Sequence, residues 1–305
     1  MHSSTFTAMV MLQLQVLLLM AAGYILTKKG TITAEGRKSL SDLLIGFFLP
    51  CNIICSFQMD LSVQILSSCG TILLLALAAQ AVYWIAGALL FKAQRRERSA
   101  CLRYATLCSN AGFLGLPIIG GVYGEMGTLL TSVALIPQRV VMWSAGLSLF
   151  TRTDGRSVVR KLLTHPCIVA VFIGFALMVA GNPTLPGFVQ KALSASGGCM
   201  TCVSMLVIGS ILADAKDVNW GDQTILVFTL ARLLLIPLVM FALLKLLAVE
   251  GTVLGVMVLM SGMPAGTTTA ILASKYDGDA AFASCMVCVS TVASIATLPL
   301  LCLLL

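Results

Sequence analysis

Charge is the first thing this chain lacks. Only 10% of its 305 residues are charged, against about 25% in an ordinary water-soluble domain, so it cannot cover a surface that faces water. It holds 12 acidic residues and 2 histidines. No His-Glu metal motif, serine elbow or pair of aspartates on facing helices can be assembled from them. Tyr276-Asp277-Gly278-Asp279 puts both of its aspartates in one turn, so an intramembrane enzyme is the weakest of the functions considered. A basic leader is missing too. Residues 1–12 contain no Lys or Arg, so the first apolar run reads as a retained helix although Ala21-Ala22-Gly23 is small enough for a cleavage site. No low-complexity segment is found, and no soluble domain fits between the apolar runs.

Hydrophobic residues make up 59% of the chain, in continuous runs of the roughly 20 residues that a helix needs to cross a bilayer. The runs are rich in Leu, Ala and Met and do not alternate with polar residues, which excludes a transmembrane β-barrel. The expected fold is an all-α integral membrane protein with ten transmembrane helices, at 7–27, 40–58, 65–91, 100–122, 128–150, 165–181, 189–213, 222–247, 251–273 and 280–304. Of the 19 Lys and Arg, 15 fall in segments on one side of that arrangement, and only Lys191 and Lys245 on the other. The positive-inside rule then places both termini on the non-cytoplasmic side of a cell membrane, plasma or inner, and makes the net charge of +7 a topology signal. Nucleic acid is not a partner that this charge implies.

Cutting the chain near residue 160 leaves two halves of similar rhythm, 1–158 and 159–305, within a single membrane domain. Five spans per half is an odd number, so the second half starts from the opposite face and the halves form inverted repeats, as in many secondary transporters. The basic stretch at 152–165 reads as the short connection between them.

Two spans carry helix-breaking residues at matching places in the repeat. The fourth has Ser109-Asn110-Ala111-Gly112-Phe113-Leu114-Gly115-Leu116-Pro117, and the ninth has Ser261-Gly262-Met263-Pro264-Ala265-Gly266-Thr267-Thr268-Thr269. Proline removes a donor and clashes with the preceding turn, while glycine lowers the cost of unwinding, so both helices are expected to break and to cross there. Peptide groups bared at membrane depth cost several kcal/mol each unless they line a wet cavity or are buried by protein. Half-helix N-termini offer amide donors and partial positive charge, which suit a carboxylate. Candidate substrate-binding residues are therefore Asn110, Gly112 and Pro117 in the fourth span, Ser261, Pro264, Thr267 and Thr268 in the ninth, and Asn52 from the second. The alternative is a pair of plain kinks packed on their neighbours.

Arg139 in the fifth span and Arg232 in the eighth are intramembrane cations, so each must face a cavity or a partner. One reading makes them anion-binding; the other has each guanidinium satisfy carbonyls freed at a helix break. Arg139 joins the candidate substrate site. Cys199/Cys202 and Cys285/Cys288 are both CxxC pairs among the 11 cysteines, but no His, Asp or Glu stands beside them at ligand spacing, so buried structural cysteine is expected, with no metal and no cofactor.

At these residues the sequence resembles the auxin efflux carrier family, which includes bacterial permeases for dicarboxylates such as malate and malonate and the plant PIN exporters. The likeness is carried by SNAGFLGLPIIGGVYGEMG, by MPAGTTTAILASKYDGDAAFASCMVCVSTVASIATLPL and by GTITAEGRKSLSDLLIGFFLPCNIICSF. The ninth span departs from the PIN exporters at Ser261-Gly262, where they carry an Asn, and their long cytoplasmic loop is missing. The resemblance implies a scaffold and a mobile transport domain in ten helices, a homodimer, and a substrate at the crossing, with Asn110, Gly112, Pro117 and Pro264 matching the motif. The expected function is secondary transport of a small organic anion, a mono- or dicarboxylate, by alternating access. A non-transporting sensor on the same fold is the runner-up.

Overall fold

The computed structural model describes residues 2–59, 62–151, 159–160, 163–181, 185–214, 221–276 and 278–305. Most of the connection expected at 152–165, together with Lys216 and Asp277, lies outside them. The helices in chain order are α1 (His2–Lys28), α2 (Ala34–Ser56), α3 (Val63–Leu90), α4 (Arg96–Leu107), α5 (Leu116–Val141), α6 (Pro166–Val179), α7 (Gly187–Asp214), α8 (Gln223–Leu246), α9 (Gly251–Ser261), α10 (Thr268–Lys275) and α11 (Ala280–Cys302). Among the described residues, seven stretches are long and apolar enough to cross a membrane, and α6 and α9 are shorter apolar helices.

Proline explains much of the local form. Widened π turns at Leu44–Phe48, Ala111–Gly115 and Ala231–Leu235 each end two residues ahead of a proline, Pro50, Pro117 and Pro237. The ring of each proline would strike the carbonyl one turn back and offers no N–H in return, and a turn wider by one residue relieves that clash. The long α5 is not one rod. Gly124 has φ 63° and ψ −149°, a backbone that glycine adopts freely. A Cβ on Gly120 would stand 2.6 Å from the Thr128 hydroxyl, although eight residues of straight helix span about 12 Å. The chain therefore doubles back at Gly124, which falls in the gap between the expected fourth and fifth spans.

The helices sort into two packed groups. In one, α1 lies along α7, and α2 packs on α6 and α7. The α1–α7 contact is as close as backbones allow, because a Cβ on Gly23 would collide with the Leu206 carbonyl and one on Gly209 with the Met20 carbonyl. Small residues at such crossings let dispersion act over a long seam where lipid supplies no hydrophobic drive. The other group contains α3, α4, α5 and α8 to α11. At one end of it Arg98 donates to Asp279 at 3.1 Å and to Asp222 at 3.4 Å, with its guanidinium over the Phe282 ring. Those aspartates cap the first turns of α11 and α8, so one arginine ties three helix ends together. The groups meet where α1 touches α5 and α11 and where α2 touches α5.

Candidate functional site

Both segments that carry the Gly and Pro signals are interrupted, and the interruptions pair with each other. After α4 ends at Leu107 and α9 at Ser261, Ser109 and Ala265 form an antiparallel bridge. The Asn110 N–H donates to the Pro264 carbonyl at 2.8 Å, and the Gly266 N–H to the Cys108 carbonyl at 3.0 Å. Glycine is needed at 266, since a Cβ there would sit 2.5 Å from the Cys108 oxygen.

The remaining bared groups are met from neighbouring helices. Gln138 of α5 grips Ser109 twice: its Nε2 donates to the Ser109 carbonyl at 2.8 Å, and its Oε1 accepts from the Ser109 hydroxyl at 3.2 Å. Arg232 of α8, 1% exposed, donates through Nε to the Met263 carbonyl at 3.1 Å and through one Nη to the Thr106 carbonyl at 3.2 Å. Its guanidinium lies 5.0 Å from the centre of the Tyr83 ring. The Ala265 N–H donates to the Ser290 hydroxyl of α11 at 3.2 Å. Arg232 therefore has the structural one of its two readings: it satisfies carbonyls on both sides of the crossing. Protein thus occupies the Cys108, Ser109, Met263 and Pro264 carbonyls and the Asn110, Ala265 and Gly266 amides at the crossing.

What stays unbonded is more selective. Asn110 is 4% exposed and its Nδ2 has no acceptor, and Thr269 Oγ1 and Thr131 Oγ1 are likewise buried without partners. The Ala111, Gly112 and Phe113 amides open a helical segment and have no acceptor within it. Gly112 has open space where a side chain would stand. Nearby, a cavity of about 460 Å³ lies between the two helix groups, lined by Gln15, Asn52, Pro117, Gly120, Glu125 and Thr201 among others. Asn52 Oδ1 is buried there with no donor.

The candidate residues thus take different places. Asn110 and Pro264 are bonded across the crossing, and Pro117 and Asn52 line the cavity. Ser261 donates to Val258 within its own helix at 2.7 Å. Thr268 accepts from the Tyr104 hydroxyl at 3.3 Å, and Thr267, buried, precedes the first turn of α10. Arg139, 6% exposed, has an Nη without a partner and follows directly on Gln138 in α5. Sequence reasoning gave no role to Gln138, Ser290 or Glu125. An amide inside an apolar run was the available signal for Gln138, whereas a serine such as Ser290 is common in membrane helices and carries none. Among the described residues none of the 11 cysteines forms a disulfide, and no cluster of His, Cys, Asp and Glu is placed to hold a metal ion.

A bundle of apolar helices in which two broken segments meet and are bonded by buried polar side chains has the build of a multi-pass membrane transporter. The chain belongs to the membrane transport protein family, that of the auxin efflux carriers, whose family model matches residues 8–302. It is similar to an uncharacterized transporter of Methanothermobacter thermautotrophicus, 25% identical over 295 residues, which are 94% of this chain and 95% of that one. It is also similar to an uncharacterized transporter of Methanocaldococcus jannaschii, 23% identical over 299 residues, covering 93% of this chain and 95% of the relative.

Proposed function

We propose that the protein is a secondary transporter that moves a small organic anion, a mono- or dicarboxylate, across a cell membrane by alternating access. The observation that carries this reading is the set of donors left unbonded where the fourth span breaks. The unpaired Asn110 Nδ2 and the first amides at Ala111 to Phe113 are all donors, beside a cavity that reaches Pro117 and Asn52. Donors without acceptors at a helix N-terminus suit a carboxylate. In this reading Asn110, Gly112, Pro117, Pro264 and Asn52 surround the solute, Thr267 and Thr268 bound it from α10, Ser261 supports the break, and Arg139 supplies positive charge.

The ten-span, inverted-repeat arrangement belongs to the same proposal. Dividing Ala111–Leu149 at Gly124, joining α4 to its first limb, and counting α6 and the α9–α10 pair as spans brings the seven long stretches to ten. The bases then gather on one face, and both termini lie on the other. A homodimer is the assembly that we expect.

Purified protein in proteoliposomes, given labelled mono- and dicarboxylates under an imposed gradient, tests the reading. Saturable uptake that Asn110→Ala abolishes supports it. Saturable binding with no movement of solute would replace it with a sensor.

A further inference from the structure

The cavity of about 460 Å³ between the two helix groups contains a charge that the carrier reading does not use. Its walls come from α1, α2 and α7 on one side and from α5 on the other, and Glu125, the residue after the Gly124 turn, stands in them. Among the described residues that line it there is no lysine, arginine or histidine, and no described ion pair includes Glu125. Two other cavities, one around Trp84 and one around Ile295, are lined almost wholly by apolar side chains, so a polar lining is particular to this one. The buried neutral groups beside Glu125 present acceptors. Ser56 and Thr128 each donate their only hydroxyl hydrogen to a carbonyl of their own helix, Ile53 at 2.7 Å and Gly124 at 3.3 Å, which leaves lone pairs alone. Asn52 Oδ1 is buried with no donor. Hydrogens remain on the Asn52 and Gln15 amides, on Thr201 and on the Cys55 thiol, the other titratable group in the lining; they can bond a carboxylate in part but bring no positive charge.

One carboxylate among neutral oxygens is the donor set of a hard cation, and the single negative charge selects its valence. A calcium or magnesium ion ordinarily takes several carboxylates, or phosphate oxygens and water, whereas one carboxylate balances a monovalent ion. We propose that Glu125, Asn52, Ser56 and Thr128 hold one monovalent metal ion in this cavity, for which sodium is the probe. Glu125 supplies the charge, and the hydroxyls and the amide oxygen replace part of the hydration shell. Glu125 and Thr128 belong to α5 and Asn52 and Ser56 to α2, so the ion bridges the two helix groups. Binding stands without the carrier reading, since it is measured with no flux. The role in transport rests on that reading and deepens it. Leu116 and Pro117 line the same cavity about one turn beyond the Ala111 to Phe113 amides, so the ion is a co-substrate that offsets the charge of a carboxylate held there.

The test is thermal unfolding of the purified, detergent-solubilised protein while choline chloride is replaced stepwise by sodium chloride, at constant chloride and ionic strength. A ligand that binds only the folded form raises its melting temperature in a saturable way. Such a rise is expected in the wild type and absent from Glu125→Gln. It should persist in Glu250→Gln, which removes an exposed acid that does not line the cavity. Thr128→Val keeps the shape of the side chain and removes its oxygen, and should retain the rise with roughly tenfold weaker apparent affinity, a readout that holds even if Glu125→Gln does not fold. No saturable response to sodium in the wild type, or equal responses in the wild type, Glu125→Gln and Thr128→Val, overturns the proposal. The same preparation in proteoliposomes separates it from the carrier reading. A sodium response with no carboxylate flux leaves the ion site standing and removes the carrier, and carboxylate flux with no sodium response does the reverse.

Discussion

Gln138 offers the sharpest test of the paired breaks, because its two bonds to Ser109 involve no charge and both partners are buried, at 8% and 6% exposure. Leucine has nearly the volume of glutamine, so Gln138→Leu leaves packing almost intact and removes only the polar grip. It strands the Ser109 carbonyl and hydroxyl in the interior, at about 1–3 kcal/mol for each group, or about 2–6 kcal/mol together. For a chain of this size a kcal/mol is about 2 °C of melting temperature, so a fall of about 4–12 °C is expected. The double variant Ser109→Ala/Gln138→Leu has only the carbonyl stranded and should recover about 1–3 kcal/mol of the loss, a non-additivity that a double-mutant cycle isolates. Unfolding can be followed with a thiol-reactive fluorophore, since Cys101 and Cys108 flank this region, buried and unpaired. If Gln138→Leu melts with the wild type, or if adding Ser109→Ala brings no recovery, the bonds drawn around the crossing do not stabilise it.

Asn110→Ala removes an unbonded amide without disturbing the backbone pairing through Asn110 N; the protein should melt within a degree or two of wild type, by about 0.5 kcal/mol or less, while uptake into proteoliposomes falls to background. Gly266→Ala forces a methyl to 2.5 Å from the Cys108 carbonyl, so the breaks must part at about 1–3 kcal/mol, and Cys108, 1% exposed, should react faster with a maleimide. Arg98→Ala gives up two part-exposed ion pairs, worth about 0.2–1 kcal/mol each, and its deficit should shrink in high salt. Asp222→Ala also loses the cap on α8, about 1 kcal/mol more, and that part of the loss should persist in high salt when the same melts are repeated.

How much of this was legible in the sequence depends on the range of the interaction concerned. The helical membrane class follows from composition and run length, which need no partner. Breaks at Asn110–Pro117 and near Pro264 follow from residues that alter their own backbone. The hairpin at Gly124 was placed within a few residues as the gap between two expected spans, although the turn rests on a single positive φ. Illegible were the partners. Nothing in the local pattern says that Gln138, Arg232 and Ser290, on three different helices, converge on the same two segments. Arg232 shows the difficulty most directly: a buried guanidinium reads equally as a ligand site or as a structural donor until the carbonyls of Met263 and Thr106 are located.

The placement of those bonds also bears on where the molecule can move. Gln138, Arg232, Ser290, Tyr104 and Arg98 bind α4, α5, α8, α10, α11 and the two breaks to one another, all within one helix group. In the other, Arg37 of α2 reaches Ser210 of α7 at 3.3 Å, and Gln58, just past α2, exchanges bonds with Gln190 of α7. None of these bonds joins the two groups. Where they meet, contacts include the apolar Leu12 side chain, close enough that a Cβ on Gly121 would lie 2.7 Å from it. Non-directional contacts can be exchanged for equivalent ones after a slide, whereas a directional bond must first be broken. The paired breaks are thus held as one stiff unit, and a change of access costs least at the boundary between the groups. The alternating access proposed here accordingly needs no rearrangement of the crossing: Asn110 keeps its bond to Pro264 while the whole unit shifts against α1, α2, α6 and α7.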